Sequence, residues 1–241
     1  MKAYIGMSNI VDKLKIRALS MLGLDFEIDL QDESFSLIAA GLYLGSRPNP
    51  EQIETLKKEG ITHIVSCLNI EKSSEVAFLK KDFQTIFLPL RDGIHEDILS
   101  VLPTFFEFIS NSQNSSPRAK TLVHCEVGVS RSATLVIALL MLSEHMSFFD
   151  AYLEVRSKRA KVLPNIGFAS QLQNFEHTNS NEKPVKGTIS SLAEYLYQVC
   201  NVPLEIEQLQ TALESHNFKA LPAIHAAFGE DIPRVIQGVR L

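Results

Sequence analysis

The sequence predicts an α/β fold in which helices cover both faces of a mostly parallel central sheet, followed by a small all-helical C-terminal segment. Short strand-like runs alternate with helical stretches from Phe35 onward, and this alternation is typical of parallel sheets. The segment from Ser132 to Leu142 is apolar on all sides, which predicts a helix buried at the centre of the domain. With 241 residues, 45% of them hydrophobic, the chain can bury a full core.

Turn and capping residues divide this region into separate elements. Asn49 can cap a helix because its side chain accepts a backbone hydrogen bond, Pro50 needs no N–H there, and Gly60 can end that helix. Apolar or β-branched runs between turn signals predict strand-like segments at 36–39, 42–44, 61–68, 85–90 and 120–124. Further helices are predicted at 97–111, with Asp97 or Ser100 as the cap, and at 132–142, 147–159 and 165–175.

Both ends of the chain lie outside this α/β domain, which we place at 35–178. Residues 1–34 form a predicted N-terminal arm, in which 8–22 have the spacing of an amphipathic helix that we expect to pack on its own domain rather than on a membrane. The polar stretch 179–186 is a predicted linker. The segment 187–241 contains three predicted short helices: 190–199, 204–214 and 221–228. Their small core implies that the segment either docks on the larger domain or is a small module that binds a protein partner, and we favour a helical extension.

The charge pattern argues against nucleic acid as the main partner. Lys and Arg total 23 against 28 Asp and Glu, which gives a net charge of −5, and the basic residues are scattered along the chain. The longest apolar run, Ala133 to Leu142, is shorter than the roughly 20 residues that a membrane span requires. We therefore expect no nucleic-acid partner and no membrane span.

The cysteine content favours a reducing compartment. The three cysteines, Cys67, Cys125 and Cys200, cannot all pair with one another. The first 20 residues interleave basic and apolar positions, so we expect no signal peptide. The expected location is the cytoplasm, with the nucleus as an alternative.

The residues from Cys125 to Arg131 join a predicted strand to the predicted buried helix. Such a loop directs backbone N–H groups and the positive end of the helix dipole into one small space, which binds anions. Those donors would also stabilise a Cys125 thiolate and lower its pKa from the free value of about 8.5. Gly128 allows a tight turn around the anion, and the Arg131 guanidinium can bind two phosphoryl oxygens at once. The pattern predicts a cysteine nucleophile beside a phosphate site.

Cleavage of a phosphate ester also requires a proton for the departing oxygen. Asp92 is the leading candidate because it follows a predicted strand whose end should open at the same sheet edge as the Cys125 loop. Asp97 is the second candidate, although its position suits a helix cap better. Neither the nucleophile nor the acid requires a metal ion, and we expect no cofactor.

The residues around Cys125 form a pattern that resembles a known family signature. His124 and Cys125, followed by five residues, Arg131 and Ser132, resemble the signature of cysteine-dependent protein tyrosine phosphatases, and the full run is similar to the dual-specificity branch. Three flanking segments are also similar to that branch, and the resemblance covers about 36–177: Gly41 to Ser46, Gly60 to Ile64 and Pro164 to Phe168.

This resemblance implies a role for each residue of the site. Cys125 would be the nucleophile, Arg131 the phosphate clamp and Asp92 the general acid. Ser132 would supply the hydroxyl that eases departure of the thiolate from the phosphoenzyme. The implied reaction is hydrolysis of phosphotyrosine and of phosphoserine or phosphothreonine esters in proteins. The intervening loop residues would contact the substrate: Glu126, Val127, Gly128, Val129 and Ser130.

Two further positions carry hypotheses with open alternatives. In the resemblance, Arg159 aligns with a basic position that can meet a second substrate phosphate, or it balances the dipole at a helix end. Leu163 stands where many relatives have Arg, which weakens the second-phosphate interpretation. Cys67 resembles in placement a cysteine that some relatives use to form a reversible disulfide with the nucleophile, and a buried strand thiol is the alternative.

Two other functions compete with phosphatase activity. One is a phosphoprotein-binding module with little turnover, although such proteins usually lack the nucleophile or the Arg, and this chain has Cys125 and Arg131. The other is hydrolysis of a non-protein phosphate ester. Glu126 disfavours a densely charged head group unless its side chain points away from the site.

Overall fold

A five-stranded sheet forms the centre of the computed structural model, which describes residues 34–179, 189–200, 202 and 204–228. In chain order the strands are β1 (Phe35–Ala39), β2 (Leu42–Gly45), β3 (His63–Leu68), β4 (Gln84–Pro89) and β5 (Thr121–His124). They lie side by side in the order β1-β2-β5-β3-β4. Strand β1 runs antiparallel to β2, and all other neighbours are parallel, which confirms a mostly parallel sheet.

The helices of the described residues coincide with the predicted ones apart from shifts at their ends. They are α1 (Ile53–Glu59), α2 (Leu102–Ser115), α3 (Arg131–Ser143), α4 (Phe148–Lys158), α5 (Ile166–Asn179), α6 (Ser191–Gln198), α7 (Ile206–Ser215) and α8 (Ala220–Phe228). The sequence patterns do not predict the 3-10 segment Ile70–Lys81, whose apolar residues lack helical periodicity. None of the helices in the described ranges has the length and apolar character needed to cross a membrane.

Local hydrogen bonds explain where several helices begin and end. Asn49 and Gln52 cap each other's backbone N–H groups before α1, and Gly60 ends that helix with a φ of 87°, in the left-handed region. Ser147 accepts a hydrogen bond from the backbone of Asp150 at the start of α4. These contacts involve near neighbours in sequence, which is why they could be predicted.

Alternating strand residues separate the core into two layers, one on each face of the sheet. Val65 and Cys67 of β3 and Val123 of β5 contribute to the layer that contains the buried helix α3. Ile64 and Leu122 face the opposite layer, which is completed by side chains from α1 and the 3-10 segment. The helices therefore cover both faces, as expected for a parallel sheet.

The carboxyl ends of β3, β4 and β5 meet at one edge of the sheet. The register pairs Ser66 with His124, so Asn69 and Cys125 follow adjacent strand ends. Leu68 pairs with Pro89, which brings Asp92 to the same edge. The loop that follows β5 therefore shares this edge of the sheet with residues that follow β3, its neighbour, and β4, the next strand along.

The C-terminal helices pack against the α/β domain. Their buried side chains belong to the same core cluster as α3: Leu192, Tyr195, Leu196, Leu209, Leu213 and Ile224. Backbone groups at both ends of the segment are also bonded to α5, since Leu192 N donates to Gln173 Oε1 at 2.7 Å and Ala220 N donates to Ser170 Oγ at 3.0 Å. The described helices of this segment are therefore docked on the α/β domain.

Some sequence predictions lie outside the described residues. The amphipathic helix at 8–22 belongs to the range 1–33, and most of the predicted linker at 179–186 belongs to 180–188. The end of the predicted segment 187–241 lies in the range 229–241, also outside the described residues.

Because α6 shares its core with the α/β domain, we expect Leu196→Ala to lower the stability of the whole unit. Leu196 is fully buried, and such a truncation costs about 2–5 kcal/mol. In calorimetry this should lower the Tm of a single unfolding transition by about 5 °C or more. Tyr197→Ala, at the neighbouring exposed position, is the matched control and should change Tm little. A separate early transition in the Leu196→Ala protein would contradict the shared core.

Candidate active site

The loop between β5 and α3 encloses a small space lined by its own backbone. Gly128 has a φ of +72°, and a Cβ at that position would lie 2.4 Å from the carbonyl oxygen of Gly45. Only glycine fits such a close backbone approach at a positive φ. The loop is therefore pressed against the end of β2 and curves back toward Cys125.

The carbonyl groups of this loop are held on its outer side. Each carbonyl from Cys125 to Ser130 accepts a hydrogen bond from a group outside the curve of the loop. The Arg159 guanidinium donates to two of them, Val127 and Gly128. The donors to the other four, Cys125, Glu126, Val129 and Ser130, are respectively His124 Nδ1, Arg47 N, Leu163 N and Thr134 N. In a trans peptide the N–H points away from its carbonyl. The following N–H groups consequently face inward, where they can bind an anion.

The sulfur of Cys125 lies within this ring of donors. Gly128 N donates to Sγ at 3.2 Å, Ser132 Oγ donates at 3.1 Å, and the side chain is 2% exposed. Burial raises the pKa of the Cys125 thiol, but the hydrogen bonds from Ser132 and Gly128 and the charge of Arg131 outweigh it. The net pKa is lowered, which favours the thiolate, the form in which a cysteine can act as a nucleophile.

Arg131 crosses the sheet edge from the first turn of α3. Its Nη1 donates to Asn69 Oδ1 at 3.4 Å and to the Leu90 carbonyl at 3.3 Å. Its Nε is buried and has no hydrogen-bond acceptor among the described residues, although Asp92 Oδ2 lies 3.8 Å away. A phosphoryl oxygen would supply that acceptor. Asn69 was not singled out from the sequence, although its place after β3 puts it at this edge.

Asp92 lies beside Arg131 and is held by two donors. Ser130 Oγ donates to Asp92 Oδ1 at 2.7 Å, and Asn165 Nδ2 donates to the same oxygen at 3.1 Å. Asp97 occupies a different place, because its Oδ1 accepts from Ser100 N at 3.2 Å in the turn before α2. The geometry therefore favours Asp92 over Asp97 as the general acid.

Helix α5 supports the loop that carries Asp92. Gln171 holds the far end of this loop, since its Nε2 donates to the Glu96 carbonyl at 2.8 Å and its Oε1 accepts from Ile98 N at 3.0 Å. Gly167 allows the loop backbone to touch the helix, because a Cβ there would lie 2.0 Å from the Ile94 carbonyl oxygen. The position of Asp92 thus depends on the absence of a side chain at Gly167.

Arg159 lies beneath the nucleophile loop and not at its open side. The side chain is buried, and its guanidinium donates to the Gly128 carbonyl at 3.0 Å, the Val127 carbonyl at 3.2 Å and Ser36 Oγ at 3.2 Å. This placement corrects the expectation of contact with a second substrate phosphate. Arg159 instead orients the loop by holding two of its carbonyls.

Glu126 points into an ion-pair cluster at the side of the loop. Its carboxylate accepts from Lys72 Nζ at 2.8 Å and pairs with Arg47 Nη2 at 3.1 Å, and Arg47 also contacts Glu75. Burial raises the pKa of Glu126, but the hydrogen bond from Lys72 and the charge of Arg47 lower it by more. The net pKa lies below its usual value, which favours the carboxylate. Its side chain serves the cluster, and its N–H remains part of the inward-facing ring.

Two residues on the neighbouring strands complete the surroundings of the sulfur. His124 shares a hydrogen bond of 2.8 Å between its Nε2 and Ser66 Oγ, and burial lowers the His124 pKa to about 4, so the ring is neutral at pH 7. Cys67 follows Ser66 on β3, next to Cys125, and burial raises its pKa. The reversible disulfide between these cysteines stays a prediction.

Comparison with known proteins agrees with this arrangement. Residues 42–178 match the family described as "Dual specificity phosphatase, catalytic domain". The chain belongs to the dual specificity phosphatase family. The match ends at residue 178, so helices α6, α7 and α8 lie beyond it.

Individual proteins are similar to this chain over different shares of their own length. The chain is 36% identical over 172 residues to dual specificity protein phosphatase 19 of Mus musculus, covering 70% of this chain and 74% of that relative. It is 40% identical over 141 residues to protein-tyrosine-phosphatase MKP1 of Arabidopsis thaliana, covering 58% of this chain but 17% of that relative. The crystal structure of the human tyrosine phosphatase-like serine/threonine/tyrosine-interacting protein superposes with a TM-score of 0.57 at 33% identity, over 60% of this chain and 96% of that chain.

Removal of the Ser132 hydroxyl should move the ionisation of Cys125 to higher pH. The hydroxyl stabilises the thiolate and lowers its pKa, so Ser132→Ala should raise the midpoint of iodoacetamide alkylation by about one pH unit or more. Burial raises the pKa values of Cys67 and Cys200, so the reaction reports on Cys125.

Ser143→Ala, at the exposed far end of α3, is the matched control for this measurement and should leave the midpoint unchanged. An unchanged midpoint in Ser132→Ala would contradict the role of the hydroxyl in stabilising the thiolate.

Gly167→Ala should displace the Asp92 loop without affecting the nucleophile. The added Cβ meets backbone at Ile94, which has no side-chain freedom to move aside. We expect turnover of phenyl phosphate to fall by about tenfold or more, because proton transfer depends on the position of Asp92. The alkylation profile of Cys125 should stay as in wild type.

Gly93→Ala provides the control on the same loop, because a Cβ there meets nothing within 4 Å. Wild-type turnover in Gly167→Ala would show that α5 does not set the position of the acid.

Proposed function

We propose that the chain is a protein phosphatase that hydrolyses phosphotyrosine and phosphoserine or phosphothreonine esters through a cysteinyl-phosphate intermediate. The observation that carries this proposal is the assembly of a stabilised thiolate, a buried guanidinium with an unused donor and a held carboxyl around one anion-binding loop. Membership of the dual specificity phosphatase family supports it.

In the first step the Cys125 thiolate attacks phosphorus while the bond to the ester oxygen breaks. The inward N–H groups and Arg131 stabilise the charge that develops on the three phosphoryl oxygens. Asp92, in its protonated form, donates a proton to the departing oxygen. The products of this step are the dephosphorylated side chain and a phosphate group bonded to sulfur.

In the second step a water molecule attacks the phosphorus and the bond to sulfur breaks. Asp92, now a carboxylate, accepts the proton that the water loses. Cys125 leaves as a thiolate, and the Ser132 hydroxyl stabilises it by the hydrogen bond that it already makes to Sγ. Inorganic phosphate is released and the starting protonation states are restored.

A phosphoprotein-binding module is the second candidate. It is suggested by the similar structure of the human tyrosine phosphatase-like serine/threonine/tyrosine-interacting protein. A binding module requires the anion site but neither a nucleophile nor an acid. Here Cys125 has a lowered pKa and Asp92 is held by two donors. These features serve turnover and not binding alone.

Hydrolysis of a densely charged lipid or sugar phosphate is a third candidate. The cations at the side of the loop, Arg47 and Lys72, are paired with the carboxylates of Glu126 and Glu75. This pairing reduces their attraction for additional phosphate groups. A singly phosphorylated side chain of a protein is the better match.

We also propose a cytoplasmic location, with the nucleus as an alternative, because all three cysteines are free thiols and a reducing compartment preserves them. Binding of a protein partner by the C-terminal helices stays a prediction. Apolar side chains of these helices are buried against the α/β domain.

Phosphopeptide assays in the presence of a chelator test the proposed function. Wild-type protein should release phosphate from phosphotyrosine and phosphoserine peptides, and Cys125→Ser should abolish this release while retaining phosphopeptide binding. Asp92→Ala should lower kcat by about 100-fold, because general acid catalysis contributes about that much.

Asp97→Ala is the matched control, because Asp97 only caps a turn and its loss should leave kcat unchanged. Binding without turnover in wild type would favour the binding module instead. Turnover of a lipid or sugar phosphate in place of both peptides would favour the third candidate.

A further inference from the structure

Tyr195, on helix α6, connects the C-terminal segment to the active site. Its ring is fully buried, and its hydroxyl donates a hydrogen bond of 2.6 Å to the carbonyl oxygen of Pro164. Pro164 lies in the segment between α4 and α5, 31 residues away in sequence. Nothing in the sequence of α6 distinguishes this tyrosine from an ordinary core residue.

The acceptor belongs to the peptide unit that joins Pro164 to Asn165. At the other end of this unit, Asn165 N donates to Ser130 Oγ at 3.2 Å. A peptide unit is planar and rigid, so the bond from Tyr195 to its oxygen also fixes the direction of its N–H. Tyr195 and Ser130 therefore hold the two opposite sides of one rigid peptide unit.

The two side chains that donate to Asp92, those of Ser130 and Asn165, both depend on the orientation of this peptide unit. Ser130 Oγ accepts from Asn165 N and directs its own proton to Asp92 Oδ1 at 2.7 Å. Asn165 caps α5 with its Oδ1, which accepts from Phe168 N, and donates from Nδ2 to Asp92 Oδ1 at 3.1 Å. A rotation of the Pro164–Asn165 peptide unit would change both hydrogen bonds to Asp92 together.

We propose that Tyr195 is a positioning residue for proton transfer, which holds the Pro164–Asn165 peptide so that Ser130 and Asn165 keep Asp92 in place. This inference rests on the proposed function. It assigns the C-terminal segment, which lies beyond the family match at 42–178, a part in the chemistry. The catalytic site is then complete only when α6 is docked.

The surroundings of Tyr195 make it a rigid donor. Its ring packs edge-on against Tyr152, with 4.9 Å between centroids, and in a tilted arrangement against Phe148, with 5.4 Å between centroids. Burial raises the pKa of the Tyr195 phenol, so it remains protonated and able to donate at neutral pH. The start of the same helix is tied to α5 through the bond from Leu192 N to Gln173 Oε1.

A pair of substrates with different leaving groups tests this inference. Phenyl phosphate releases a phenol whose pKa is near that of tyrosine, about 10, and needs a proton from the acid. The nitro group of p-nitrophenyl phosphate stabilises its leaving phenolate, which departs with less help. If Tyr195 positions Asp92, Tyr195→Phe should lower kcat on phenyl phosphate by about fivefold and on p-nitrophenyl phosphate by less than about twofold.

Tyr152→Phe is the matched control. It removes another buried tyrosine hydroxyl from the same cluster, but that hydroxyl accepts from Arg156 and does not contact Pro164. Its effect on stability should be similar to that of Tyr195→Phe, while its kcat should stay at the wild-type value on both substrates. This comparison separates loss of position from loss of stability.

An Asp92→Asn background provides the second measurement. With the acid removed, Tyr195→Phe should cause no further loss on phenyl phosphate, because the two residues act through the same proton transfer. Equal losses on both substrates, or an additional fivefold loss in the Asp92→Asn background, would overturn the role of Tyr195 while leaving the phosphatase function intact. A wild-type protein without turnover of either substrate would overturn the proposed function and the inference together.

Discussion

The site depends on one constraint, which is that the loop after β5 must keep its carbonyl groups on the outside. A sulfur anion buried to 2% exposure is costly unless donors surround it. The donors come from the loop itself, because each carbonyl from Cys125 to Ser130 is bonded outward and the following N–H faces inward. Arg159 provides two of these outward bonds and gains the acceptors that a buried guanidinium needs. The same loop orientation thus serves two buried charges: its carbonyls accept from Arg159, and its N–H groups face the thiolate.

The sheet supplies the rest of the site through the geometry of its edge. Strands β3, β4 and β5 are parallel neighbours, so Asn69, Asp92 and Cys125 emerge together although they are far apart in sequence. Arg131 spans this edge and contacts a residue or backbone group after each of the two other strands. A substrate phosphate would enter between the guanidinium and the loop, with Asp92 beside it.

Much of this arrangement could be predicted because its signals are local. The nucleophile and the clamp lie within seven consecutive residues, and the edge rule for parallel strands places Asp92 near them. The contacts of Arg159 could not be predicted, because its acceptors Val127 and Gly128 are main-chain carbonyls that carry no sequence signal. Gly167 allows the Asp92 loop to approach α5 because it has no side chain. This role depends on the close approach of the Ile94 backbone, which the sequence does not reveal. Tyr195 has the spacing of a core residue, so its hydroxyl contact depends on tertiary packing.

The two halves of the chemistry therefore have different structural origins. The thiolate is stabilised by groups close to it in sequence, Gly128 and Ser132, together with the adjacent charge of Arg131. Asp92, the proposed acid, is held by Ser130 and Asn165. The peptide unit between Pro164 and Asn165, which donates to Ser130, accepts a hydrogen bond from Tyr195 on α6, beyond the family match. Changes in the C-terminal segment should consequently reach the departure of the leaving group before they reach the nucleophile.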